Sequence, residues 1–228
     1  DAFDFNPVVG NVNSDELSYS RYGDTHRIIG VASKKWNYGT DNKWGTSLST
    51  FFEYARGGRF SYTYAGNING DTSGQNNDLL YVPTSAEIQQ MQFDPSGGPQ
   101  QGVALDAYIS QDDYLSGRRG QYAERYGAQA PWRGRWDVKF LQDYKIKISE
   151  KKTNTIQFSI DVLNIGNLVN SDWGLVQQAN NTSPIGVSVD PGTLVPTYSF
   201  NPNQTETFGY DSSLASRWQM QFGLRYIF

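Results

Sequence analysis

Three stretches of the chain alternate apolar and polar residues with period two. In 135–149, Trp136, Val138, Phe140, Tyr144, Ile146 and Ile148 fall on one side, and Arg135, Asp137, Lys139, Asp143, Lys145 and Lys147 on the other. Leu141 and Gln142 break that pattern once each. In 155–164, Ile156, Phe158, Ile160 and Val162 alternate with Gln157, Ser159 and Asp161. The third stretch ends the chain. Trp218, Met220, Phe222, Leu224, Tyr226 and Phe228 oppose Arg217, Gln219, Gln221, Gly223 and Arg225. This period predicts long strands with one apolar face. Weaker strands are expected over 26–36, over 44–54 (Trp44, Leu48, Phe52 and Tyr54 on one face) and over 59–66 (Phe60, Tyr62 and Tyr64). Ordinary globular strands run about 5–6 residues. The strongest stretches here are longer, and a tilted membrane strand needs about 9–11.

The connections are lopsided. Residues 38–43 and 150–153 read as short polar turns, whereas 67–134 and 165–215 are long connections. Short turns alternating with long loops are the pattern of outer-membrane β-barrels. A soluble β-sandwich also alternates, so the pattern alone leaves open what covers the apolar faces. Within the first long connection, Thr84 followed by Glu87 forms a capping box that starts a short helix over 85–92. A second helix is expected over 103–115, with Leu105, Tyr108 and Ile109 on one side. In the second connection, 194–200 reads as a short hairpin above the membrane.

Composition sharpens this picture. The chain has 228 residues and carries 6 Trp, 15 Tyr and 12 Phe, so rings dominate the apolar positions. Net charge is -4, with 19 basic and 23 acidic residues, and no basic stripe suggests a nucleic-acid partner. Cysteine is absent, which excludes disulfides and thiol metal sites. No run reaches the roughly 18 apolar residues of a membrane helix. With Asp1 as first residue and no signal-like segment, a processed protein or a piece of a longer one is expected.

Candidate chemistry is sparse. Asn67, Asn69, Asp71 and Asp78 mimic the spacing of a calcium loop, but Thr72 stands where a glycine is wanted. The alternative is a polar turn held by Asx hydrogen bonds. Residues 116–127 are rich in Gly and Arg without the strand and helix of a phosphate cradle, so a loop with solvated or carboxylate-paired arginines is expected. His26 is the sole histidine. The charges of 135–147 and Asp161 predict a cross-strand ladder. No constellation for acid–base or nucleophilic chemistry stands out, so no enzyme is expected.

Several segments together resemble the C-terminal part of a TonB-dependent outer-membrane transporter of the Oar-like and SusC-related kind. They are GDTHRIIGVASKKWNYG (23–39), WGTSLSTFFEYARGGRFSYTYAGNINGD (44–71), NDLLYVP (77–83), RGRWDVKFLQDYKI (133–146), FSIDVLNIGNLVNSDWG (158–174) and RWQMQFGLRYIF (217–228). The resemblance implies an all-β fold: an antiparallel transmembrane β-barrel of about 22 strands, of which residues 1–228 supply the C-terminal part. It places 67–134 and 165–215 as extracellular loops, with 59–66 in an extension above the membrane. Phe228, with Tyr226, Leu224 and Phe222, would be the signal read by the barrel-assembly machinery. The implied activity is energy-coupled transport of an unidentified substrate across the outer membrane of a Gram-negative bacterium. Its partners would be the lipid bilayer, a TonB-type complex acting through a plug outside this chain, and a surface lipoprotein. Rings in the loops, such as Tyr108, Tyr114, Tyr122, Tyr126, Trp132 and Trp173, are candidate substrate contacts, or else pack the loops together. The alternative from another class is a structural or interaction subunit of an outer-membrane assembly without a substrate of its own.

Overall fold

The computed structural model describes residues 6–13, 16–23, 25–70 and 76–228. Strand is the main regular structure, the large sheet is antiparallel, and among the described residues no helix is long and apolar enough to cross a membrane. The chain divides into two compact units.

One unit comprises Asp24–Arg56, Pro131–Gln177 and Tyr210–Phe228. Its frame is an open five-stranded sheet of β1 (Arg27–Tyr38), β2 (Trp44–Arg56), β3 (Trp132–Ser149), β4 (Lys152–Leu163) and β5 (Gln219–Ile227). Neighbours in the sheet follow chain order, and every pairing is antiparallel. The alternating stretches became β3, β4 and β5, and two of the three weaker ones, 26–36 and 44–54, became β1 and β2. The turn between β1 and β2 uses Gly39, Asp41 and Asn42 at positive φ, residue types that tolerate the left-handed region. The short turns and Phe228 therefore lie at one end of the sheet. Both long connections leave from the other.

Register lines up the apolar positions into rows across the sheet. Leu48, Phe140, Ile160 and Phe222 form one. Tyr38, Trp44, Tyr144, Ile156 and Tyr226 form another, near the short turns. Gln142, which breaks the sequence pattern, belongs to the apolar face. It is accommodated because its Oε1 accepts from the Thr46 hydroxyl at 2.7 Å and its Nε2 donates to the Gly45 carbonyl at 3.2 Å. β1 is the least regular strand. Ile29 and Val31 lie on its other face, and Lys34 lies on the apolar one with its ammonium over the Trp36 ring.

The second unit comprises Asp1–Gly23, Gly57–Ala130 and Gln178–Gly209. Its core gathers Tyr62, Leu80, Val82, Leu105, Tyr108, Ile109, Leu115, Ile185 and Phe200. Burial of about this many large side chains is what holds connections of such length in one conformation. Three short helices pack there: α1 (Ser85–Ile88), α2 (Gln101–Gln111) and α3 (Asp113–Ser116). The capping box is present, with the Thr84 backbone N–H donating to Glu87 at 2.8 Å and the Glu87 N–H donating to the Thr84 hydroxyl. The short hairpin expected within 194–200 is corrected to a single strand, Pro196–Phe200, whose antiparallel partner is the earlier Ile185–Val189. Asp190 closes the connection between the two by accepting from the Gly192 and Thr193 N–H groups.

Three further local expectations are corrected. The continuous strand over 59–66 is only Arg59–Phe60 and Tyr64–Ala65, because Ser61, Tyr62 and Thr63 between them turn into the core and are buried. The helix over 85–92 ends at Ile88, since Gln92 and Asp94 commit their backbones to Tyr198. The helix over 103–115 runs from 101 to 111 and breaks at Asp112, whose backbone is extended while its side chain caps α3.

Candidate functional site

The most distinctive feature of the long-stranded sheet is its apolar face. Leu48, Phe52, Trp136, Ile156, Phe158, Met220, Phe222 and Leu224 are all exposed, with Phe222 at 63% and Leu224 at 77%. Soluble monomers seldom leave contiguous apolar surface larger than a few hundred Å² open to water. Rings mark both margins. Tyr38, Trp44, Tyr144 and Tyr226 stand at the short-turn end. Tyr54 and Trp132 stack at 4.8 Å toward the other, where Trp136 also lies. From Trp44 to Tyr54 along β2 is ten residues, or about 33 Å of strand. At the usual barrel tilt of roughly 40° this spans about 25 Å, the height of the apolar band of an outer-membrane barrel.

The opposite face carries the charges. Lys139 meets Asp161 across β3 and β4 at 2.8 Å, and Lys35 reaches Asp143 at 3.2 Å. Gln157 donates to the same Asp143 carboxylate at 2.8 Å. The expected ladder is therefore present, extended to β1 through Lys35. Ser33 and Ser49 add a hydroxyl pair at 2.8 Å.

The segment after β4 folds back over this sheet. Asn164, at φ 53, donates its backbone N–H to Asp137 at 2.8 Å and its Nδ2 to the Gly174 carbonyl at 2.9 Å. Asn167 fixes the return: its Oδ1 accepts from the Trp218 N–H and its Nδ2 donates to the Trp173 carbonyl. Gly174 sits at φ +64, and a Cβ there would overlap the Asn164 side-chain amide. Gly174→Val is therefore expected to cost about 2 kcal/mol or more, from backbone strain plus the clash. The change in midpoint of a urea titration measures it, and a loss under 0.5 kcal/mol would show that the segment is not held this way.

The candidate loop contacts separate into distinct environments. Tyr108 is 1% exposed, packed against Phe200 with centroids 5.4 Å apart, so it is a core ring and not an accessible one. Tyr114 is half-buried, stacks on Tyr62, and its hydroxyl accepts from the Glu124 N–H at 2.7 Å. Burial holds the Tyr114 hydroxyl above its ordinary pKa. Trp132 belongs to the β3 margin and stacks on Tyr54. Trp173 and Tyr122 are exposed. Tyr126 takes a positive φ, with its N–H donating to the Ser61 hydroxyl. The terminal residues Phe222, Leu224, Tyr226 and Phe228 are all exposed on one side of β5.

The calcium-like loop is braced internally. Asp78 is buried and accepts from the Ile68 N–H at 3.0 Å and from the Asn69 Nδ2 at 2.8 Å. Asn67 accepts from the Gly70 N–H at 2.8 Å, an Asx turn. Asp71 lies outside the described residues. Among the described residues no group of three or more His, Asp or Glu is placed to hold a metal. The Gly- and Arg-rich stretch pairs with carboxylates as expected, through Arg118 to Glu124 at 2.5 Å and Arg119 to Asp106 at 2.8 Å. His26 lies beside the Trp132 ring, with centroids 6.0 Å apart.

One residue of structural weight escaped the sequence reading. Asp112 is buried and accepts from the Tyr62 hydroxyl at 2.8 Å, the Thr207 hydroxyl at 2.7 Å and the Leu115 N–H at 2.8 Å. Burial first, and then the Asp112 carboxylate, push the Tyr62 pKa far up, so Tyr62 remains a donor at any physiological pH. The available signal was an Asp three residues before Leu115 in QDDYL, an N-cap spacing.

The Glu87 carboxyl is held below its ordinary pKa by the Thr84 N–H first, then by the Tyr81 and Thr84 hydroxyls. A depressed folded-state pKa means that the stabilisation is present above the unfolded value of ~4.3 and is lost as pH falls through the folded value. Hydrogen-exchange protection at 85–88, taken relative to the intrinsic rate at each pH, should therefore fall as pH drops below the unfolded value of ~4.3, while Glu87→Gln removes that pH dependence. Protection that stays flat on acidification in the unsubstituted chain would contradict the cap's role.

No family model, curated protein or solved structure matches the chain.

Proposed function

We propose that the five-stranded sheet is an arc of a transmembrane β-barrel in the outer membrane of a Gram-negative bacterium, and that the whole protein is an energy-coupled transporter of the TonB-dependent type. The carrying observation is the exposed apolar face bearing Phe158, Phe222 and Leu224, bounded at both margins by rings. Hydrocarbon is the covering that such a face requires, because every backbone group inside a barrel is paired while the side chains face lipid. Trp and Tyr at two levels about 25 Å apart fit the two interfaces of a bilayer. The opposite, charged face then lines the lumen.

Five strands do not close, so the free edges of β1 and β5 require further strands. In this reading they come from the remainder of a barrel of about 22 strands, along with the plug on which the energy-coupling complex pulls. Phe228 lies with the short turns on the periplasmic side, and the two long connections emerge on the cell surface. The folded core within those connections supports a loop assembly of fixed shape, suited to capturing a solute before it passes inward.

Cell-surface labelling tests the orientation. The chain contains no cysteine, so single substitutions in the full-length protein are readable. A membrane-impermeant maleimide should label Trp173→Cys on intact cells, and should label Lys151→Cys, in the turn after β3, only after the outer membrane is opened. Equal labelling of both, or recovery of the protein in a detergent-free soluble fraction, would overturn the proposal.

A further inference from the structure

At the end of the sheet where the long connections leave, the polar face holds three arginines. Arg27 on β1 and Arg133 on β3 are both register partners of Ala55, and Arg135 is the partner of Glu53. Two of the guanidinium groups are neutralised. Arg27 Nε meets Glu53 Oε1 at 2.8 Å. Arg135 grips Asp137 through Nε at 2.9 and 3.0 Å and through Nη2 at 2.8 Å. The Arg133 guanidinium makes neither a hydrogen bond nor an ion pair with any described residue, while its backbone belongs to the sheet. Among the described residues, Arg133 is thus the arginine of this group whose guanidinium has no carboxylate partner.

That charge lies on a cavity of about 170 Å³. Arg133 and Arg135 line it together with Glu53, Gly174, Val176 and Ala215. The far wall is the segment that returns over the sheet, fixed by the Asn164 N–H on Asp137 and by the Val176 N–H on the Ser216 hydroxyl at 3.0 Å. One wall is thus a guanidinium fork and the other largely apolar. An apolar wall lowers the local dielectric and strengthens attraction to an anion. The planar fork matches two oxygens of a carboxylate or phosphate. The volume exceeds several waters at roughly 30 Å³ each, enough for such a group with part of its hydration. Glu53 does not oppose the anion, since Arg27 already holds its carboxylate.

We infer that this cavity binds an oxyanion, the carboxylate or phosphate group of a solute, through the Arg133 guanidinium. The inference deepens the transport reading and rests on it in one respect: the charged face must be lined by water. It assigns the transported solute to the anionic class and gives it a first stop at the long-connection end of the lumen wall.

The test uses the full-length protein in nanodiscs, labelled with ¹⁵N-arginine. The Nε–Hε resonances of Arg133 and Arg135 are followed while inorganic phosphate, acetate or chloride is added at constant ionic strength. A saturable shift at both resonances with phosphate, acetate or both, and not with chloride, is the expected result, and the stronger of the two names the oxyanion. Arg133→Gln should weaken the response at Arg135 by about tenfold, the loss of one charge-assisted contact, and Arg133→Lys should retain part of it. No saturable shift, a shift matched by chloride, or an undiminished response in Arg133→Gln would overturn the inference. A water-soluble paramagnetic agent separates the two levels of failure. Broadening of the Arg133 resonance without an anion response defeats the binding site alone; absence of broadening defeats the water-lined face itself.

Discussion

Phe222→Lys should prevent stable insertion, at an expected cost of about 2–4 kcal/mol for a cation placed near the middle of the lipid face. Phe222 is in the row with Leu48, Phe140 and Ile160, midway between the two ring margins, and is exposed. Its neighbour Gln221 points to the opposite face, where its register partner is Asp161. Gln221→Lys brings a second cation near that carboxylate, beside Lys139, and should cost under about 0.5 kcal/mol in a wet lumen wall. Reversible urea-driven folding of the full-length protein into lipid vesicles measures both. Equal tolerance of the two lysines would mean that the two faces meet the same medium.

Asp112→Ala should unfold the unit built from the long connections, or lower its stability by about 3 kcal/mol or more. The substitution strands the Tyr62 hydroxyl, the Thr207 hydroxyl and the Leu115 N–H without an acceptor in a dry core. Each abandoned buried donor costs about 1–3 kcal/mol. Tyr62→Phe removes one donor along with its need for an acceptor, so the double variant should lose less than the sum of the singles. Protease susceptibility of 57–130 against that of the long strands provides the readout. Strict additivity of the two substitutions would show that the hydroxyl and the carboxylate act independently.

The long strands were legible because side chains alternate across a sheet with a period that no tertiary partner needs to supply. The alternation from Ile156 to Val162 and from Trp218 to Phe228 carries its own structure. Gln142 looked like an interruption because its neighbours, Thr46 and the Gly45 carbonyl, come from another strand. The core of the other unit was harder to see. Leu105 and Tyr108 meet Ile185 and Phe200 across a wide gap in sequence, and such pairing leaves no local period. Tyr108 shows the consequence: a ring in a polar connection reads as exposed until its partner Phe200 is known. The break at Asp112 was hidden for a similar reason, since two of its three donors, Tyr62 and Thr207, are remote in the chain. Arg133 lies just before the alternating stretch of 135–149 and carried no reading of its own. Its lack of a partner depends on how Glu53 and Asp137 are shared out.

The medium against the apolar face is open to direct measurement by a nitroxide scan of residues 220–225 in the full-length protein, each replaced singly by a labelled cysteine. Accessibility to oxygen, which concentrates in hydrocarbon, and to a water-soluble nickel chelate should oscillate with period two and in opposite phase. Labels at Met220, Phe222 and Leu224 should favour oxygen, and those at Gln221, Gly223 and Arg225 the chelate. Labels at Phe222 and Leu224 that meet the chelate, or that meet neither reagent, would contradict a lipid-facing sheet.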